Sequence, residues 1–185
     1  MPGYLLPPEW APHDAVWFTY TGSATDTVLD QVVLAMDAST MIVCAADNSL
    51  AGAIAARWDS LGIPRSRYRM EVMGDSLYVP AVRDAGPIFL RTHDGTLAVL
   101  DADWNYYGDH GNVIGTPPRL LAFEDSFPTM LARRMGLPVV RSALVIEGGA
   151  VEVNGAGALL QVEAVTMQRN PGWSKDSMEQ ELRRV

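Results

Sequence analysis

The sequence predicts an α/β or α+β fold, in which strands, hairpins and helices interleave along 185 residues. Three observations point there. A continuous apolar run, Thr40 to Ala45, is short enough for a buried strand. Leu50, Ile54 and Trp58 then recur at helical spacing. Finally, His93-Asp94-Gly95-Thr96 separates two apolar runs, and Asp-Gly tolerates the positive φ of a tight hairpin.

In chain order, Met1 to Pro12 is proline-rich and reads as an extended lead-in laid over the domain. Ala15 to Thr19 is apolar and aromatic enough for a first strand. Thr25 or Asp26 is placed to cap a helix to about Asp37, with Val28, Val32, Leu34 and Ala35 on its inner side. Ser49 caps a second helix through Leu61, stopped by Gly62 and Pro64. Tyr68 to Met73 reads as a strand. The Arg83-Asp84 loop precedes a strand from Pro87 to Thr92, and the hairpin returns as Leu97 to Ala102. Asp103 to Gly115 is aromatic, polar and glycine-bearing, hence a loop. Asp125 or Ser126 opens a helix to Met135, ended by Gly136 and Pro138. Val139 to Val153 holds one or two strands, Asn154-Gly155-Ala156-Gly157 turns a second hairpin, and Ala158 to Val162 returns. Arg169-Asn170-Pro171-Gly172 is a loop. Ser174 caps a last helix with Met178, Leu182 and Val185 on one face, and this helix reaches Val185 without a stop signal.

Hydrophobic residues make up 48% and charged residues 19%, as in a globular chain, and the length suits one domain over residues 1–185. Twenty-two acids against 14 bases leave a net charge of -8. That balance disfavours nucleic acid and anionic membrane as partners. It is compatible with a cationic small molecule, although many proteins are acidic for other reasons. The single cysteine, Cys44, forbids an intrachain disulfide, and no Cys-His cluster has zinc spacing. His13, His93 and His110 lie far apart in sequence. With no basic and apolar leader and no apolar run of bilayer length, a cytoplasmic protein is expected.

Two acids stand out. Asp84 sits in Val82-Arg83-Asp84-Ala85-Gly86-Pro87, at the mouth of an apolar run, where a loop is held by the strand behind it. Glu147 follows the apolar run Val145-Ile146 and precedes two glycines that let the chain turn. Paired flat carboxylates suit a guanidinium or amidinium, whose planar fork matches them. The bland readings are a surface Arg83-Asp84 ion pair and a simple turn acid. Trp104, Asn105, Tyr106 and Tyr107 are walls for a ligand or lids on the core, and His110 is a loop histidine within reach of a ligand. Cys44, inside Met-Ile-Val-Cys-Ala, reads as a small core hydrophobe rather than a nucleophile.

The pattern resembles a known family. Pro8-Glu9-Trp10-Ala11-Pro12-His13-Asp14, Arg83-Asp84-Ala85-Gly86-Pro87-Ile88-Phe89, Asp103-Trp104-Asn105-Tyr106-Tyr107-Gly108, Leu144 to Gly155 around Glu147-Gly148-Gly149, and Arg169-Asn170-Pro171 are similar, in order and spacing, to segments of agmatine deiminases and bacterial-type peptidylarginine deiminases. The resemblance implies a pentein, five ββαβ modules around a pseudo-fivefold axis, of which roughly half is spanned here. It implies hydrolysis of a guanidino group to a ureido group with loss of ammonia. A cysteine thiolate attacks, a histidine moves protons, carboxylates hold the nitrogens, and neither metal nor other cofactor is needed. Asp84 would bind the guanidinium, and Glu147 would be the acid near the histidine. Arg83, Trp104, Tyr106, Tyr107 and His110 complete the expected substrate contacts.

Two departures leave the guanidino substrate open: Ala81 stands where the family usually has tryptophan, and Gly108-Asp109-His110 replaces Gly-Gly-Lys. On this resemblance the family's His-x-Asp segment and its cysteine fall beyond Val185. The chain is thus expected to carry substrate-binding carboxylates and to need a second chain or a symmetric partner for turnover. The alternative is a shortened, non-catalytic member that binds a guanidino or amine ligand, or a partner chain.

Overall fold

The computed structural model describes residues 3–23, 26–36, 40–45, 48–72, 82–108 and 118–185, with the backbone alone at 40, 44 and 45. The chain divides into two compact units, one of Pro12–Val82 and one of Met1–Ala11 with Arg83–Val185. The lead-in is not merely extended: Tyr4–Leu5 forms a short strand, β1, that joins the sheet of the second-named unit.

The Pro12–Val82 unit is a parallel β-α-β-α-β run. It consists of β2 (Ala15–Thr19), α1 (Asp26–Ala35), β3 (Thr40–Ala45), α2 (Asn48–Ser60) and β4 (Tyr68–Val72), with sheet order β2-β3-β4. Its core packs Tyr20, Val33, Met41, Val43, Ile54, Trp58 and Tyr68 together. Helix α1 is turned away from the expected face. Asp26, Asp30 and Val33 point inward at i, i+4 and i+7, while Val28, Val32 and Leu34 are exposed. The reason is polar. Asp30 accepts hydrogen bonds from the Tyr20 hydroxyl at 3.1 Å, the Trp58 indole at 3.0 Å and Arg57 Nε at 2.5 Å, and it pairs with the Arg57 guanidinium. Asp26 accepts from the Thr21 and Gly22 amides and so holds the turn before the helix. Thr25 and Asp37 lie outside the described residues.

The other unit contains α3 (Val82–Ala85), β5 (Ile88–Thr92), β6 (Leu97–Asp103), α4 (Pro118–Met135), β7 (Val139–Val145), β8 (Glu152–Val153), β9 (Leu159–Leu160), α5 (Glu163–Arg169) and α6 (Lys175–Arg184). Its main sheet runs β1-β5-β6-β7, with β1-β5 and β5-β6 antiparallel and β6-β7 parallel. Strands β5 and β6, helix α4 and strand β7 thus form one ββαβ module, closed by the hairpin in which Gly95 takes φ 88°. Two expectations change. Arg83 and Asp84 lie on a single helical turn rather than a loop. Helix α4 begins at Pro118, not near Asp125, and runs through Pro128. Proline fits the first helical position, and Pro118 takes it. Helix α5 has no counterpart among the elements expected from sequence; it ends at Arg169, where the expected loop begins. Ser174 caps α6 by accepting the Ser177 amide at 3.1 Å, and Met178, Leu182 and Val185 pack inward as the spacing predicts.

Candidate functional site

The site grows from close backbone contact between α3 and the Glu147-Gly148-Gly149 turn. A Cβ on Gly148 would overlap the Arg83 carbonyl oxygen, and one on Gly149 would overlap the Asp84 carboxylate. Neither glycine has positive φ, so closeness, not turning freedom, demands them. In return the Gly149 amide donates to Asp84 Oδ1 at 3.0 Å. The second Asp84 oxygen accepts from the Tyr107 hydroxyl at 2.7 Å. Arg83 does not pair with its neighbour; its Nη1 reaches Glu9 Oε1 at 2.7 Å, with both side chains more than half exposed. The surface ion pair expected between Arg83 and Asp84 is therefore replaced by two separate arrangements.

The aromatic loop is held in an unusual backbone. Tyr106 and Tyr107 have φ of 54° and 61°, and Gly108 follows at 78°. Left-handed tyrosines cost energy and persist only where surroundings force them. Here Trp104 is buried and meets the Tyr107 and Tyr106 rings edge-on, with centroids 5.1 and 5.9 Å away. Asn105, also buried, accepts from the Gly108 amide and donates to the Arg169 carbonyl, both at 2.8 Å. The Trp104 amide donates to Asp125 Oδ1 at 2.8 Å, and its indole donates to Glu124 Oε2 at 2.9 Å. Burial, then the bond to Asp84 and the charges of Asp84 and Glu147, push the Tyr107 phenol above its usual range, so it stays a donor.

Glu147 is buried and paired with Arg169, whose Nε donates to Glu147 Oε1. The Arg169 guanidinium also lies over the Tyr107 ring, 5.9 Å from its centroid. Asn170 ties this corner down: it accepts from the Val145 amide at 2.8 Å and donates to the Val145 and Thr166 carbonyls at 3.1 and 2.9 Å. The two acids selected from sequence thus belong to one network, Asp84–Tyr107–Arg169–Glu147. Trp104 and Tyr106 support it, Arg83 points elsewhere, and His110 lies outside the described residues. Sequence reasoning missed Glu124 as a site residue and Arg169 as the partner of Glu147. The signal for Glu124 was present: an acid in register with Phe127 and Leu131, on the buried face of α4.

Beside the network, a cavity of about 10 Å³ is lined by Asp84, Trp104, Glu124, Asp125 and Ile146. A larger groove of about 720 Å³ in the same unit is lined by Leu5, Leu6, Leu100, Val151, Leu160 and Leu182. Leu160 and Val162 near it are 73% and 64% exposed. Among the described residues no group of three or more His, Cys, Asp or Glu is arranged to hold a metal ion, and no helix is long and apolar enough to cross a membrane.

With this geometry in hand, comparison with known proteins is specific. The fold class is pentein-type α/β, with about half of the fan present. An agmatine deiminase structure from Enterococcus faecalis matches 97% of this chain and 50% of that one, with a TM-score of 0.80 and 23% identity. Residues 5–185 match the family model of Porphyromonas-type peptidyl-arginine deiminase, and the chain belongs to that family. A Streptomyces coelicolor relative, provisionally named an agmatine deiminase, is 30% identical over 193 residues, covering 97% of this chain and 52% of its own length. An agmatine deiminase of Stutzerimonas stutzeri is 29% identical over 196 residues, covering 98% and 50%. The chain therefore spans about half the length of these relatives.

Proposed function

We propose that this chain is the substrate-binding half of a guanidine deiminase, acting on agmatine or a related guanidino compound. The observation that carries the reading is the anchored pair of carboxylates. Asp84 is held by a backbone amide and a phenol, and Glu147 stands across Tyr107 from it, paired with a guanidinium of the chain itself. Oxygens fixed in this way hold guanidinium nitrogens without reorganising. The reaction replaces one guanidino nitrogen by water's oxygen, giving a ureido group and ammonia. The thiolate that attacks the guanidinium carbon and the histidine that moves its protons would come from the half of the family fold that these residues do not span. No cofactor enters this scheme. That second half, on a complementary chain or a symmetric copy, would cover the apolar groove and the exposed Leu160 and Val162. A cytoplasmic location belongs to the same proposal.

A second reading, ligand binding without turnover, is favoured by one feature: Glu147 already has a guanidinium partner in Arg169. One experiment separates the two. Agmatine is titrated calorimetrically into the chain, and ammonia release is then followed with and without the complementary half of a family enzyme. Saturable binding lost in Asp84→Ala, with turnover only in the mixture, is the expected result. Binding without turnover in the mixture selects the second reading, and no binding by the wild type removes both.

A further inference from the structure

We propose that Glu124 is the positioning residue of the Asp84 site, holding Trp104 and, through the Trp104 and Tyr107 rings, the carboxylate itself. Nothing in the family resemblance assigns it a role. The starting point is the strained loop. Two consecutive left-handed tyrosines, at φ 54° and 61°, relax unless fixed from outside. Helix α4 fixes the loop at its first residue by two bonds, Asp125 to the Trp104 amide and Glu124 to the Trp104 indole. The Trp104 ring meets the Tyr107 ring, and the Tyr107 hydroxyl meets Asp84 Oδ2. Each link is a direct contact, so the path from Glu124 to Asp84 is continuous.

Glu124 is also an anomaly by itself. It is 1% exposed, and its Oε1 has no hydrogen-bond partner among the described residues. A carboxylate buried with one indole donor is unfavourable, whereas the neutral acid keeps an acceptor for the indole and gains an O–H to donate. Burial, only partly opposed by the indole bond, pushes its carboxyl above the ordinary range. The other titratable groups lining the cavity are Asp84 from α3 and Asp125 from α4, both acids. The cavity itself has room for about one water, a partner for that O–H.

The test uses the full chain with Glu124→Gln and Glu124→Leu, read by agmatine calorimetry and by the NMR signals of the Trp104 indole N–H and the Tyr107 ring. Glutamine is neutral and still accepts from the indole. It should bind agmatine within about threefold of wild type and leave both signals in place. Leucine cannot accept; it should weaken binding by about tenfold and move both signals, while the thermal transition stays cooperative. As pH rises above the ordinary carboxylate range, the wild-type indole signal should titrate and that of Glu124→Gln should not. Leucine equal to wild type, glutamine as damaging as leucine, or a wild-type signal without titration would each overturn the proposal. The ligand arm rests on the guanidino reading above and the NMR arm does not. Wild-type protein that fails to bind agmatine therefore ends that reading alone. Should Glu124→Leu fail to fold, the pH titration of wild type against Glu124→Gln decides.

Discussion

Asp30 and Glu124 are both acids buried on helices, and their surroundings differ completely. Asp30 has a phenol, an indole and a guanidinium around it; Glu124 has one indole and an oxygen without a partner among the described residues. A fully satisfied buried acid is a structural device: it orients α1 and specifies which face of the helix packs. A half-satisfied one stores cost, and that cost lies next to the Asp84 network. Between these two acids it is the state of the carboxyl's partners, not burial, that differs.

The largest effect is expected at Asp30. Replacing it by leucine leaves the Tyr20 hydroxyl without its acceptor, while the Trp58 indole keeps only its 3.1 Å bond to that hydroxyl, and urea unfolding should report a loss of about 3 kcal/mol. Asp30→Asn, which keeps an acceptor, should lose clearly less. Equal losses would mean that the charge pair with Arg57, rather than the hydrogen bonds, carries the stability. Next in size is Gly149→Ala, which drives a methyl into the Asp84 carboxylate. A loss of about 1–3 kcal/mol, together with loss of agmatine binding and no change at Trp58, is expected. Tyr107→Phe removes one donor from Asp84 and should cost about 0.5–1.5 kcal/mol of ligand affinity, read by calorimetry, without lowering the melting temperature.

The smallest effect is the pH dependence that Glu124 confers. The Glu124 carboxyl is raised in the folded state, so between its unfolded and folded pKa the folded chain holds the extra proton. Its contribution is fully present below the unfolded pKa and is lost as pH rises through the folded one. Denaturation midpoints should therefore fall over that window in wild type, and the fall should be shallower in Glu124→Gln. An identical slope in both would show that Glu124 is ionised already, in conflict with its positioning role.

Legibility from sequence followed the range of the forces involved. The Asp94-Gly95 hairpin, the Ile54 and Trp58 face of α2 and the cap and face of α6 depend on neighbours a few residues away, and each was readable. The face of α1 was not, because Tyr20 and Trp58 decide it from outside the helix. Nor was the start of α4, since Asp125 and Ser126 look like caps in the sequence yet lie inside the helix. Asp84 and Glu147 could be chosen from local pattern, an acid after or before an apolar run. What joins them was hidden: the Gly149 amide lies 65 residues from Asp84, and Arg169 lies 22 from Glu147. The second Glu147 glycine looked like a turn residue because sequence shows flexibility and conceals a close approach.

The bond from Gly149 to Asp84 has a consequence for how this chain can drift. Its donor belongs to the main chain, so exchanging the side chain at position 149 leaves the N–H in place, and proline alone among encoded residues deletes it. Half of the anchoring of Asp84 is therefore written in the peptide linkage itself. To remove that half without disturbing shape would take an amide-to-ester replacement by chemical ligation, a change open to the chemist and closed to mutation.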